Sequence, residues 1–264
     1  MARKPTLSPS RITTYLACPV KYMWTYVDPR GKWFARAKSY YSFGSSLHAV
    51  LQKFHDEGET GVQTKEQAVA ALEESWVTAG YSSPEEAQEA LAEGRELLEA
   101  YIESHLASAP EAKTLYVEKQ LRKDMGEFVL MGRIDRIDEL PDGRIEIVDY
   151  KSGRSDTDPN DLLNDIAMNC YHLLLREFMP GKRMLSTIVA VRTGSRTTVE
   201  PTPDHLESFR QDIIALGAEI LHRDWESLTP VWKDICPECD FIELCKKHPA
   251  FVESAGGSLP KEDF

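Results

Sequence analysis

The segment GRIDRIDELPDGRIEIVDYKSG, residues 132–153, constrains this chain more than any other. Apolar and β-branched residues alternate with polar ones on both sides of Pro141-Asp142-Gly143, the pattern of two strands reversed by a tight turn. Asp149 and Lys151, two apart on the second strand, leave one face about 6 to 7 Å apart at the base. Pairing through the turn would bring Asp135, on the first strand, beside Asp149 on that face. Ile145, Ile147 and Val148 mark a buried strand, where a carboxylate is costly unless paired or metal-bound. Alone, Asp-x-Lys also fits an ordinary charged strand end. Two carboxylates and a lysine converging on one ligand match metal-assisted phosphodiester hydrolysis, with Mg²⁺ or Mn²⁺ on the carboxylates and Lys151 orienting water or neutralising charge.

Around this hairpin the pattern is mixed α/β. Helices are expected from Ser8-Pro9, with Ile12, Tyr15 and Leu16 in one stripe and Pro19 as a break, and over Phe43–His55. Two more open on capping boxes, Thr64 with Gln67 and Ser83 with Glu86, the second running to about His105. Strands follow at Thr114–Asp124, Glu127–Glu139 and Arg144–Lys151, forming a meander. Then come a helix Asp161–Phe178, strands Met184–Arg192 and Thr197–Glu200, and a helix Pro203–Trp225. The expectation is one α/β nuclease-type domain over 1–264, with an acidic helical insertion at 54–112, a sheet core at 113–200 and a cysteine segment at 230–248. The only flexible stretch expected is the tail Ser254–Phe264.

The net charge of -12 is unevenly spread. Residues 1–53 hold nine Lys or Arg against one acid, whereas 54–112 hold fourteen acids against two bases. A local field decides where a polyanion lies, so the basic N-terminal stretch is the candidate surface, and the acidic stretch reads as a solvated helical face. No apolar run approaches the roughly 20 residues that span a bilayer, and no secretory signal opens the chain. The expectation is a cytoplasmic protein without membrane contact.

In a reducing compartment five cysteines favour metal over disulfides. Cys236, Cys239 and Cys245 need one more ligand, from Cys18 or Cys170. His222 and His248 are conceivable replacements. Four thiolates accept either Zn²⁺ or an iron-sulfur cluster.

These pieces together resemble the PD-(D/E)XK nuclease superfamily, in particular its RecB-like branch. The resemblance rests on SPSRITTYLACPVKYMW at the start, GSSLHAVL at 44–51, GRIDRID, DYKSG, a tyrosine in the next helix and the closing cysteines. It implies a restriction-endonuclease-like core, a mixed central sheet flanked by helices, with an N-terminal helical region and a cysteine-ligated cluster joining the termini. It makes Asp135 and Asp149 the principal metal carboxylates, His48 and the carbonyl of Tyr150 further ligands, Lys151 the catalytic lysine, and Glu118 a more variable acidic position. Without the resemblance His48 is only a polar residue on an amphipathic helix. Tyr171 reads equally as a site residue or as a core aromatic with a wet hydroxyl. The family glutamine falls at Ala167, which leaves open whether Asn164 or Asn169 replaces it. The CRISPR-associated and AddB members of the branch carry one cysteine before the core and three after it around a 4Fe-4S cluster. That implies Cys18, Cys236, Cys239 and Cys245 as ligands and Cys170 as a buried free thiol.

Nine aromatics from Tyr15 to Phe43 interleave with bases, a mixture suited to stacking bases and holding phosphates. Arg30, Lys32, Arg36 and Lys38 are the first candidates for DNA contact. The reading is a Mg²⁺- or Mn²⁺-dependent DNA exonuclease preferring single-stranded ends. Lacking GxxxxGK[ST], the chain would draw any motor from a helicase or from a recombination or adaptation partner. The rivals are a non-catalytic DNA-binding or assembly module stapled by its metal site, and a zinc-dependent regulator.

Overall fold

Prolines and glycines set the reversals of this chain, and the apolar stripes between them decide which faces pack. The computed structural model describes residues 4–56, 61–107 and 112–256. They form two compact units, one of residues up to Thr6 with Ala37–Ile213, the other of Leu7–Arg36 with the chain from Ile214 onward.

After a two-residue strand β1 (Thr6–Leu7), helix α1 (Pro9–Ala17) starts as the sequence predicts: the Ser8 hydroxyl accepts the Arg11 N–H and Pro9 fills the first turn, where its missing N–H costs nothing. Ile12 and Tyr15 are buried, but Leu16, expected in the same stripe, is 50% exposed. Cys18 ends α1, and Pro19 opens α2 (Pro19–Tyr22), which runs on into a π-helical turn, Met23–Val27.

Helix α3 (Ser39–His55) begins earlier than expected and buries Leu47, Val50 and Leu51. Helix α4 (Lys65–Ser75) carries the complete Thr64–Gln67 capping box. At α5 (Pro84–Ala107) the Ser83 hydroxyl accepts the Glu86 N–H, but the Glu86 carboxylate turns to Ser82, so the second box closes one residue early.

The strands β2 (Lys113–Asp124), β3 (Val129–Glu139) and β4 (Ile145–Lys151) form the expected antiparallel meander, turned at Gly143, whose φ of +79° suits glycine. The helix expected over Asp161–Phe178 is two, α6 (Pro159–Leu163) and α7 (Ile166–Phe178). Asn164 caps the first, and the Asp165 carboxylate accepts the Met168 N–H at 2.8 Å to start the second. This crossover returns the chain to β5 (Met184–Ala190), parallel to β4, as a parallel pair requires. Strand β6 (Ser195–Val199) pairs antiparallel with β5. Helix α8 (Pro203–His222) stops short of Trp225, and the second unit ends in α9 (Ile242–Cys245) and α10 (Pro249–Ala255). Ser254, expected in a flexible tail, belongs to α10, and 257–264 lie outside the described residues.

The result is a mixed six-stranded sheet in the order β1-β3-β4-β5-β6, with β2 also on β3, flanked by helices. Leu47, Leu51, Leu98 and Ile102 from α3 and α5 pack with Val148, Tyr150 and Val189 of the sheet. Each such side chain contributes about 1.5–3 kcal/mol by leaving water. Helix α7 approaches β3 at Gly132, where a Cβ would lie 2.8 Å from Leu174 Cδ1 and 3.0 Å from Tyr171 Cε1.

Candidate active site

The β3–β4 pairing runs from Glu139–Ile145 to Arg136–Val148, which leaves Asp135 and Asp149 just beyond its last pair. Asp135 Oδ2 accepts the Tyr150 N–H at 2.9 Å. From α3, His48 places Nδ1 3.4 Å from the same oxygen and Nε2 3.0 Å from the Tyr150 carbonyl oxygen. From β2 comes Glu118, across from Asp135 between the paired residues Val117–Arg136 and Lys119–Ile134. Its φ of +49° is the only left-handed value of a non-glycine among the described residues. Such a conformation costs about 1–3 kcal/mol and persists where the surroundings impose it, often at functional sites.

His48, Glu118 and Asp135 each offer a ligand atom within 4.8 Å of the others, and among the described residues no other group of His, Cys, Asp or Glu does so. Asp149 falls outside this trio; its Oδ2 lies 2.7 Å from Lys151 Nζ. The two carboxylates expected to act together thus divide, one toward His48 and Glu118, the other toward the lysine.

The electrostatics are those of a site short of positive charge. Burial raises the pKa of Asp149 and Asp135 adds to it, against Lys151. Burial likewise raises Glu118, with Asp135, against Arg133 at 2.6 Å. For His48 and Lys151 burial works against the charged form, but Asp135 at His48 and Asp149 at Lys151 outweigh it, so both pKa values are raised. Asp149 Oδ2 and Glu118 Oε2 are buried without a hydrogen bond of good geometry, although each has a cation beside it. Carboxylate oxygens, a carbonyl and an imidazole are donors that suit a divalent cation.

His48 and Glu118 of the trio line a cleft of about 880 Å³, together with Tyr40, Tyr41, Arg133 and Lys151. Tyr171 on α7 is buried; burial pushes its hydroxyl far above its ordinary value, and Asp149 and Asp135 push the same way. Ala167 lies in the first turn of α7. Both asparagine amides make local contacts. The Asn164 amide donates to the Asn160 carbonyl, and that of Asn169 donates to Leu163 and Asp165 carbonyls. Asp165 adds, after Asp149, to what favours the charged form of Lys151.

Of the candidate DNA contacts, Arg30, Lys32 and Arg36 belong to the second unit and Lys38 to the first. Arg30 pairs with Asp28 at 2.5 Å and lies 5.4 Å from the Trp24 ring; Lys32 lies 5.5 Å from the Trp33 ring. The Arg36 N–H donates to Asp240, and Lys38 precedes the first turn of α3. Tyr15, Tyr22 and Phe43 are core, so the aromatic surface reduces chiefly to Tyr26, Trp33, Tyr40 and Tyr41.

Cys18, Cys236, Cys239 and Cys245 all belong to the second unit, whereas Cys170 is buried on α7 in the first. None of the five is in a disulfide. Lys21 N–H donates to Cys18 Sγ at 3.4 Å and Lys233 N–H to Cys236 Sγ at 3.3 Å. Burial raises the thiol pKa of Cys236, Cys239 and Cys245, the last to about 12, and the neighbouring sulfurs add to it. Among the described residues the cysteine sulfurs do not form a group of three or more ligand atoms all within 4.8 Å of one another.

Three features of the site were not read from the sequence: Arg133 against Glu118, Asp165 near Lys151, and the burial of Arg136. The repeat Arg-Ile-Asp at 133–135 and 136–138 was the available signal for the first and third.

Comparison with known proteins agrees with the geometry. A stretch of 146 residues, covering 52% of this chain, is 32% identical to an ATP-dependent helicase/deoxyribonuclease subunit of Streptococcus pyogenes serotype M12 (strain MGAS2096). The corresponding protein of serotype M1 is 31% identical over 146 residues. Each match spans only 13% of the relative's length. A candidate exonuclease from Eubacterium rectale, solved at 2.19 Å, shares the fold with a TM-score of 0.55 at 12% identity, covering 96% of this chain and 93% of that one. The family model described as PD-(D/E)XK nuclease superfamily matches residues 6–246. Because that match spans more than half of its residues, the chain belongs to the PD-(D/E)XK nuclease superfamily.

Proposed function

We propose that this protein is a Mg²⁺- or Mn²⁺-dependent DNA exonuclease acting on single-stranded ends. The observation that carries the reading is the convergence of His48, Glu118 and Asp135 within 4.8 Å, beside the Asp149–Lys151 pair. His48, Glu118, Asp135 and the Tyr150 carbonyl would hold the metal, with Asp149 bordering it. A bound divalent ion would supply Lewis-acid polarisation of the phosphate and a water of lowered pKa. The protein's own part is positional. Lys151 is 45% exposed at its side chain, and Asp149 keeps it protonated, so it stands as a fixed cation with N–H groups for a phosphate oxygen. Tyr171, buried on α7, would border the site on the side of Asp149 and Asp135. Tyr40 and Tyr41, exposed in the cleft, offer faces on which unpaired bases stack, which favours a single strand. Arg30, Lys32, Arg36 and Lys38 would hold backbone phosphates.

In the second unit, Cys18, Cys236, Cys239 and Cys245 would ligate a 4Fe-4S cluster that ties the first helix to the C-terminal segment. The relatives' description as subunits of a helicase and deoxyribonuclease supports a helicase partner. Incubation of end-labelled single- and double-stranded DNA with Mn²⁺ or Mg²⁺ tests the reading. Wild-type protein is expected to shorten single strands only with metal, and Asp149→Ala and Lys151→Ala to abolish it. Binding without cleavage under every metal condition would instead identify a DNA-binding module.

A further inference from the structure

The motif that supplies Asp135 contains a second Arg-Ile-Asp triplet, Arg136-Ile137-Asp138, that the nuclease reading leaves without a task. Strand alternation sends Arg136 and Asp138 to the opposite side from Asp135. There Arg136 is 3% exposed, a burial that costs a guanidinium several kcal/mol unless every N–H is matched. The matching is extensive. Its Nε donates to Asp138 Oδ2 at 2.9 Å, and its Nη1 lies 2.5 Å from the Tyr150 hydroxyl, 2.7 Å from His55 Nε2 and 3.2 Å from the Tyr101 hydroxyl. Asp138 in turn accepts the Thr114 hydroxyl at 2.9 Å.

All of these groups converge on one residue with two ends. The Tyr150 hydroxyl is held by Arg136, while its N–H donates to Asp135 and its carbonyl faces His48 Nε2. A displacement of the ring therefore moves the backbone between Asp149 and Lys151, and with it the partners of two of the trio. An apolar residue would fill the core at less cost in desolvation. We propose that Arg136 is a positioning residue of the nuclease site, acting through the Tyr150 hydroxyl to fix the backbone that presents the metal ligands. This rests on the metal-dependent reading given above. Outer groups that orient metal ligands typically change affinity or activity 10- to 100-fold when removed.

The test compares Tyr150→Phe, which removes only the hydroxyl, and Arg136→Met with the wild type. Mn²⁺ affinity is measured by titration calorimetry, and kcat and KM are measured on single-stranded DNA. Thr187→Val serves as comparator, since it breaks the buried contact between Thr187 and Glu146 elsewhere in the sheet. Circular dichroism identifies folded variants. The expected result is Mn²⁺ affinity weakened about 10-fold or more in Tyr150→Phe, with kcat lowered, KM for DNA unchanged and Thr187→Val binding Mn²⁺ as the wild type does. Unchanged Mn²⁺ affinity in a folded Tyr150→Phe, or an equal loss in Thr187→Val, would overturn the proposal while leaving the nuclease reading intact. A wild type that neither binds Mn²⁺ nor cuts would overturn both.

Discussion

Asp135 and Tyr150 are joined across β3 and β4 by a side chain to backbone hydrogen bond of 2.9 Å, so the carboxylate nearest His48 is itself fixed by the residue between Asp149 and Lys151. Asp135, His48 and Lys151 thus all meet one stretch of backbone, Asp149–Lys151.

Asp149→Asn should separate stability from activity. Burial raises the pKa of Asp149, so its ionised form is a cost to the metal-free fold that the amide removes. In EDTA the variant is expected to melt at or above the wild-type temperature, while Mn²⁺-dependent cleavage falls about 100-fold or more. A clear drop in Tm without metal would contradict the electrostatic picture.

Acid should unfold the protein through two buried histidines. Burial lowers the pKa of His55 to about 2, helped by Arg136, and that of His172 to about 4. The unfolded chain protonates both near pH 6.5. Their stabilising contribution is therefore complete above that pH and is lost as pH falls from about 6.5, down to about 4 for His172 and lower for His55. Over that window each costs about 1.4 kcal/mol per pH unit. Chemical denaturation between pH 7 and 4 measures the slope, and His172→Gln should remove about half of it.

Gly132→Ala should be destabilising by about 1–3 kcal/mol through overpacking, because its Cβ would press on Leu174 and Tyr171. Denaturant melts give the value. Cleavage should fall further than stability alone explains, since α7 carries Tyr171.

For the cysteines, anaerobically purified protein should be brown, and Cys18→Ala, Cys236→Ala, Cys239→Ala or Cys245→Ala should each bleach it. Cys170→Ser should keep the colour, because that thiol lies in the other unit. Colourless protein with stoichiometric zinc would replace the cluster by a zinc site.

Alanine at Arg30, Lys32, Arg36 or Lys38 should weaken single-stranded DNA binding across sequences, and removing one phosphate partner should lower the log-log salt slope by about 0.7. Fluorescence anisotropy at several salt concentrations reads this directly. Arg30→Ala is expected to matter least, because its guanidinium is already spent on Asp28.

What was legible in the sequence was what local chemistry writes. Ser8-Pro9, Thr64 with Gln67, and the turn at Gly143 fix backbone groups within a few residues, and they appear where expected. The β3–β4 hairpin was legible for the same reason, since a turn converts sequence spacing into register, whereas the division of its two acids between His48 and Lys151 was not. The break at Asn164 and Asp165 was less so. An apolar stripe continues through it, and only the capping tendency of aspartate marks the new start. The parallel union of β4 with β5, the left-handed Glu118 and the burial of Arg136 depend on residues distant in the chain. Tertiary packing, rather than local preference, decides them. Leu16 errs in the other direction, following the helical period yet remaining half exposed.

The turn at Pro141-Asp142-Gly143 carries a further consequence. Side chains on a strand change sides with every residue, so the length of this reversal works as a ruler for the site. Lengthening or shortening it by one residue without a compensating bulge would leave both acids in the chain and turn one of them away from the other. The spacing of the loop is thus as much a part of the chemistry as the carboxylates it aligns.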